Sequence, residues 1–210
     1  MKKILLILII AISSLYSNSN NEKINSLTTT SNEIIKPSDE LLSLLEKNKN
    51  KTGVAEIIEL INEGGINAAS KGELIIGDVT HYPNSTPLMI ASSYNHYNIA
   101  KALIDNGALV NLRAGDGFNA LMEAVRTDNI EMAKLLINNN SDISIKNKDG
   151  KNMIMIACEN GNEVMFNLLV ENNADINEKS SWGASALIYA SENGNINIMK
   201  YLIDNGIDVN

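Results

Sequence analysis

The apolar and polar positions between residues 84 and 111 predict two short antiparallel helices. Thr86 stands at an N-cap position and Pro87 at the first helical position, where the missing N–H of proline costs nothing. The apolar pattern breaks at Asn95, resumes, and ends at Gly107, a residue type that suits the left-handed end of a helix. Because helices of about ten residues are marginal in water, we expect this pair to stack against other parts of the chain.

The marker positions of this helix pair return every 33 residues along the rest of the chain. Residues able to cap the first helix recur at Thr86, Asn119, Asn152 and Ser185. A small residue recurs at Ala91, Ala124, Ala157 and Ala190, and a large apolar residue recurs at Leu103, Leu136, Leu169 and Leu202. The small residues predict a close approach between neighbouring helices.

Residues that tolerate positive φ angles recur before and after the second helix of each pair. They lie between the two helices at Asn95, Asp128, Gly161 and Gly194, and after the second helix at Gly107, Asn140, Asn173 and Gly206. Only a backbone requirement explains a set limited to glycine, asparagine and aspartate. We therefore predict left-handed backbone geometry at all of these positions.

With these markers in place, the chain resembles the ankyrin repeat family, as the segments TPLMIA, GALVN, NADIN and GIDVN indicate. The resemblance implies an all-α ankyrin repeat solenoid of paired antiparallel helices with inter-repeat β-turns. It covers four repeats, at residues 81–113, 114–146, 147–179 and 180–210. The chain departs from the family where His is usual, at Met89, Met122, Met155 and Ile188, and we expect a side-chain hydrogen bond to be lost there.

A degenerate earlier repeat with an insertion is predicted at residues 38–80. Its helices are expected near Glu40–Lys47 and Val54–Asn62. The connection into the next repeat, residues 67–86, spans 19 positions against 8 for the corresponding later connection, residues 111–119. Within the insertion, the segment GELIIGDVTHYP has the β-branched alternation and the Gly/Pro boundaries of a small hairpin.

The first residues of the chain have the pattern of a secretory signal peptide, at residues 1–19. Lys2 and Lys3 precede nine apolar residues, 4–12, which are too few to span a bilayer. Residues 20–37 are mostly polar and aperiodic, and we interpret them as a flexible leader. We therefore expect an exported protein, periplasmic or secreted, with no membrane anchor after signal cleavage.

Charge and composition narrow the class of partner. The formal net charge of −8 and the pI near 4.8 argue against binding to nucleic acid or to an anionic membrane surface. The single cysteine, Cys158, excludes a disulfide within this sequence and a metal site made of cysteines alone.

Few residues are candidates for chemistry. The only histidines, His81 and His96, are fifteen positions apart and do not form an i, i+4 metal pair. His96 falls in a turn where the family commonly has His, and no nucleophile-elbow motif accompanies His81. Cys158 aligns with small packing residues, which favours a buried and inert thiol. We predict no enzyme, no cofactor and no metal; a ligand or catalytic site in the 68–85 insertion is the less favoured alternative.

A protein-binding surface is what the resemblance implies. In similar proteins the partner contacts the tips of the inter-repeat turns and the exposed flank of each first helix, which together form a concave face. Carried over to this chain, the predicted partner-binding residues are Asp116, Phe118, Glu123, Arg126, Lys148, Lys151, Trp182 and Tyr189. The two lysines predict an acidic patch on the partner, which is another protein of unknown identity.

Two alternatives remain open for this surface. The aromatic residues at the tips, Phe118 and Trp182, either bind a partner or pack back onto their own repeat. The repeats either hold another protein or act as a structural scaffold that self-associates through the last repeat, which no polar capping repeat follows in this sequence.

The predicted signal peptide leads to a direct test. The mature chain is expected to begin near Asn18 or Asn20, after a cut that follows Ser17 or Ser19, and to be found outside the cytoplasm. N-terminal sequencing of native protein checks this. Cytosolic protein that retained residues 1–12 would contradict it.

Overall fold

The computed structural model describes residues 36–207, which form ten helices and a two-stranded hairpin. The helices are α1 (Asp39–Asn48), α2 (Val54–Gly64), α3 (Pro87–Ser93), α4 (Tyr97–Asp105), α5 (Ala120–Arg126), α6 (Ile130–Asn138), α7 (Met153–Asn160), α8 (Glu163–Glu171), α9 (Ala186–Glu192) and α10 (Ile196–Asp204). The strands are β1 (Leu74–Ile76) and β2 (Val79–His81). Within residues 36–207, no helix is long and apolar enough to cross a membrane. The predicted signal peptide and nearly all of the predicted leader lie outside the described residues.

The helices from α3 onward stack in two layers, which confirms the predicted helical repeat fold. Neighbouring inner helices pack on one another along the series α3, α5, α7 and α9, and each also packs on the outer helix that follows it in the chain. The recurring alanines and leucines are fully buried in this stack: Ala91, Ala124, Ala157, Ala190, Leu103, Leu136, Leu169 and Leu202. The recurring small residues therefore belong to the buried core of the stack, as their period predicted.

Three of the four predicted N-caps bond to the first turn of their helix. Thr86, Asn119 and Asn152 each accept a hydrogen bond from the backbone N–H three residues later, at 2.8–3.4 Å. Ser185 makes no such bond. The Sδ atom of Met89 accepts a hydrogen bond from the N–H of Thr86 at 3.4 Å. The thioether thus keeps a weak side-chain hydrogen bond at one position where the sequence predicted its loss.

All of the predicted left-handed positions have positive φ angles, so the backbone requirement is confirmed. Between the helices, φ is 53° at Asn95, 56° at Asp128, 72° at Gly161 and 67° at Gly194. After the second helix, φ is 93° at Gly107, 63° at Asn140, 65° at Asn173 and 80° at Gly206.

The predicted hairpin is present, and it is an extension of one inter-repeat turn. Strands β1 and β2 are antiparallel, with Leu74 opposite His81 and Ile76 opposite Val79. In the later turns, backbone hydrogen bonds close the turn tips, between Ala114 and Phe118, Asn147 and Lys151, and Ser180 and Ala184. The N–H of Ser70 donates to the carbonyl of Ser85 in the same way, at 3.0 Å, across the whole hairpin. The insertion therefore lengthens a turn and leaves the register of the repeats intact.

The first helix pair packs differently from the later pairs. Its helices begin and end within two residues of the predicted bounds, but α1 packs mainly on the outer helix α4 and α2 on the inner helix α3. The N–H of Ser38, at the start of α1, donates to Asn106 Oδ1, at the end of α4, at 3.0 Å. In the later pairs the first helix is the inner one, whereas in this pair the second helix α2 packs on the inner layer and the first helix α1 on the outer layer. The sequence pattern predicted the two helices but not this exchange of layers.

Candidate protein-binding surface

The hairpin contacts Tyr94 at the end of helix α3. The hydroxyl of Tyr94, just after α3, donates a 2.6 Å hydrogen bond to the carbonyl of Ile76 at the end of β1. All seven residues of α3 are buried, including Ser93. Its counterparts on the later inner helices are more exposed: Arg126, Glu159 and Glu192. The concave face is therefore closed at α3 and open across α5, α7 and α9.

We define the open face as the exposed flanks of α5, α7 and α9 together with three turn tips. The tips are residues 115–118, 148–151 and 181–184. Each tip leads directly into the inner helix whose flank it borders, so the 33-residue period sets the spacing of tips and flanks alike.

A buried ion pair lies at the α5 end of the open face. Glu123 Oε2 accepts hydrogen bonds from Arg126 Nε at 3.1 Å and from Arg126 Nη2 at 2.6 Å. Glu123 is buried, whereas more than a third of the Arg126 side chain is exposed. Burial raises the pKa of Glu123, and Arg126 opposes that increase. Because residues three apart share one side of a helix, α5 holds the pair in place and exposes mainly its cationic partner.

A second ion pair links the tip before α7 to two inner helices. Lys151 Nζ donates to both carboxylate oxygens of Glu159 at 2.9 Å. The same ammonium lies 4.6 Å from the centroid of the Tyr189 ring on α9, within the range of a cation–π interaction. The cluster therefore spans two neighbouring repeats and compensates the charge of Lys151 within the protein.

The two aromatic residues of the tips have opposite environments. The Trp182 side chain is exposed (relative accessibility of the residue 82 %), whereas Phe118 is buried at 8 %. Ser180 Oγ accepts hydrogen bonds from the N–H groups of Trp182 and Ala184, at 3.4 and 3.2 Å, and so stiffens the turn. Phe118 packs in the core, while its N–H donates to Asp116 Oδ1 at 3.1 Å. Phe118 is therefore part of the core, whereas Trp182 is not.

The tips do not present the basic patch that the sequence suggested. Lys151 is compensated by Glu159, so only Lys148 is an exposed tip lysine without an ion pair among residues 36–207. Asp116 and Glu192 also lie on the open face. The expectation of an acidic patch on the partner therefore rests on Lys148 rather than on both lysines, and it stays a prediction.

The three residues considered for chemistry, His81, Cys158 and His96, are either buried or in contact with the backbone. His81 is 2 % exposed, neither of its ring nitrogens has a hydrogen-bond partner, and burial lowers its pKa. Cys158 is buried, and burial raises its thiol pKa to about 12. His96 Nε2 lies 2.7 Å from the carbonyl oxygen of Thr52. No group of three or more His, Cys, Asp or Glu side chains is arranged to hold a metal ion in the described part of the chain.

The structure brings together only some of the eight residues predicted to bind a partner. Glu123 contacts Arg126, and Lys151 contacts Tyr189. The others are spread over the tips or buried: Asp116, Lys148, Trp182 and Phe118. Glu159, which completes the Lys151 cluster, was not among the eight, although the 33-residue period aligns it with Arg126 on the flank of an inner helix.

The contrast between Phe118 and Trp182 predicts opposite effects on stability. Phe118→Ala is expected to lower the free energy of unfolding by about 3 kcal/mol, because it leaves a cavity in the core. Trp182→Ala is expected to change it by about 0.5 kcal/mol or less, since the side chain is exposed. Urea unfolding of the two variants checks this, and equal unfolding midpoints would contradict the two environments.

The chain matches the sequence model of one known protein family. The family described as ankyrin repeats (3 copies) matches residues 50–147 and 137–210, which include every helix from α3 onward and the hairpin. No curated protein matches the chain. The family match covers most of the sequence and agrees with the stacked helix pairs of the structure. The chain therefore belongs to the ankyrin repeat family.

Proposed function

We propose that this chain binds another protein on the open face, with Trp182 as the central apolar anchor and without chemistry of its own. Ankyrin repeats are generally modules for protein–protein interaction and are typically non-catalytic. The observation that carries the proposal is the 82 % exposure of Trp182 on a turn whose backbone is fixed by Ser180.

The energetic basis is the burial of one large side chain from a rigid turn. A tryptophan buries about 150–250 Å² at an interface, and residues of this type dominate binding energies. Because the turn around Trp182 is already closed by hydrogen bonds from Trp182 and Ala184, little backbone entropy is lost on binding. An anchor of this kind typically contributes about 2 kcal/mol or more, which is roughly thirtyfold in affinity.

The charges of the open face favour a partner whose contacting surface carries little net charge. Both ion pairs, Glu123–Arg126 and Lys151–Glu159, are satisfied within the protein and limit the field that a partner meets. Lys148 and Glu192 add exposed charges of opposite sign. We therefore expect a modest dependence of the association rate on salt, in contrast to an interface steered by charge.

Self-association is a second candidate, supported by the outer surface of the last helix pair. Ile188 on α9 is 45 % exposed, although Met155 at the same position of the preceding repeat is fully buried. Ile203 on α10 is likewise exposed at 50 %. A second copy of the chain would bury both of these exposed apolar side chains.

We further propose that the protein acts outside the cytoplasm, because Lys2, Lys3 and the apolar residues 4–12 have the pattern of a signal peptide. A partner in the periplasm or outside the cell follows from that proposal.

Site-specific photo-crosslinking tests the anchor. A photoreactive phenylalanine analogue replaces Trp182 in one variant and Val164 in a matched control. Val164 is also an exposed apolar side chain, at 62 %, but it lies on the outer helix α8. We expect one defined protein adduct from position 182 in cells and none from position 164.

Other adducts would decide between the candidates. An adduct from position 182 that contains only this chain would favour self-association over a different partner. The same set of adducts from both positions, or none from position 182, would contradict binding through the open face.

A further inference from the structure

The hairpin between Ser70 and Ser85 packs an imidazole against the concave side of the stack. The last residue of each strand is buried, Ile76 in β1 and His81 in β2. Ile75, the residue before Ile76, is 76 % exposed on the opposite side of the hairpin. The hairpin thus has one face toward the inner helices and one face toward solvent.

The packing of His81 is unusual for a polar side chain. At 2 % exposure, neither Nδ1 nor Nε2 has a hydrogen-bond partner. Among residues 36–207, the only aromatic ring in contact with His81 is that of Tyr94, and the two ring centroids are 5.7 Å apart. A buried polar group without a partner costs free energy, and the cost rises sharply when the group is charged.

Three charged groups from elements around the hairpin act on the imidazole of His81. Arg126 of α5 disfavours a positive charge on the imidazole, whereas Asp116 of the next tip and Glu56 of α2 favour one. Loss of hydration is the largest effect, and together with Arg126 it outweighs the two carboxylates, so the pKa of His81 lies below its ordinary value of about 6.5. The docked hairpin therefore favours the neutral imidazole.

Few polar contacts hold the inward face of the hairpin to the helices. The hydrogen bond from Tyr94 to the carbonyl of Ile76 attaches the end of β1, and the base is closed by Ser70 and Ser85. Because the base belongs to the regular turn pattern of the repeats, the hairpin can leave α3 without breaking the register of the stack.

We propose that the hairpin is a pH-sensitive latch that covers helix α3 at neutral pH and is released when His81 becomes protonated. Release removes the hairpin from Tyr94 at the end of α3, which extends the open face toward that helix. The consequence for binding rests on the proposed function, but the latch itself is a property of the chain alone.

The sign of the pH dependence follows from the two states of His81. The released hairpin has an imidazole of ordinary pKa, about 6.5, and the docked hairpin has an imidazole of lowered pKa. Docking is therefore strongest above about pH 6.5 and weakens as the pH falls from there toward the docked pKa. In that window each pH unit changes the ratio of docked to released hairpin by up to about tenfold.

Amide hydrogen exchange of the full chain, without any partner, measures the latch. We expect the protection factors of residues 74–76 and 79–81 to fall several-fold between about pH 7.5 and about pH 5.5, within the range where histidine titrates. Protection in α7, which is buried in the stack, is expected to stay constant. An NMR titration of the two imidazoles should give a lower pKa for His81 than for an ordinary histidine.

Two variants separate the latch from other pH effects. In His81→Phe no hydrogen bond is lost, because neither ring nitrogen has a partner, and the hairpin is expected to stay protected at both pH values. His96→Gln removes the other histidine of the chain and should keep the pH dependence. The titration of the wild-type protein supplies the test if the phenylalanine variant does not fold.

Three results would overturn the proposal. They are equal protection of the hairpin at both pH values, the same loss of protection in His81→Phe, and a His81 pKa at or above the ordinary value. None of these outcomes bears on whether the open face binds a protein, which position 182 tests separately.

Discussion

The close approach of neighbouring inner helices is the constraint on which the rest of this structure depends. The inner helices α3, α5, α7 and α9 have seven or eight residues each, too few to be stable alone in water. They are stabilised by stacking, and one recurring alanine of each helix, from Ala91 to Ala190, is fully buried in the stack. A repeat therefore exists only because its neighbours cover it, and the stability of such a stack is a sum of contacts between adjacent repeats.

This constraint also determines which positions are free to bind. Caps, left-handed residues and buried apolar positions recur with the period, and each has a structural reason for its identity. The residues that vary lie on the tips and flanks, where Trp182 is exposed and where two ion pairs are made inside the protein. The Lys151 cluster is particularly informative, because it ties a tip to the inner helices of two repeats and so orders the surface before any partner arrives.

The sequence predicted the elements well because their causes are local. The left-handed geometry of Asn140 follows from its own backbone, and the cap at Asn119 follows from an amide three residues away. Features that depend on distant contacts were not predictable in this way. Whether Phe118 turns inward is decided by the space beside it, and the layer exchange of α1 and α2 is decided by packing on α3 and α4. The hairpin was predicted from alternation, but its docking on Tyr94 was not, since nothing in the alternation indicates where a hairpin folds back.

The most direct measurement of the stacking constraint is the stability of Ala157→Leu beside that of Ala55→Leu. Ala157 is fully buried between inner helices, whereas Ala55 is exposed on α2, and alanine and leucine have similar helix propensities. Urea unfolding should show a loss of about 1–3 kcal/mol for Ala157→Leu, because the larger side chain forces the helices apart. The change for Ala55→Leu should be about 0.5 kcal/mol or less. Equal unfolding midpoints for the two variants would contradict the account that close helix approach at these alanines holds the repeats together.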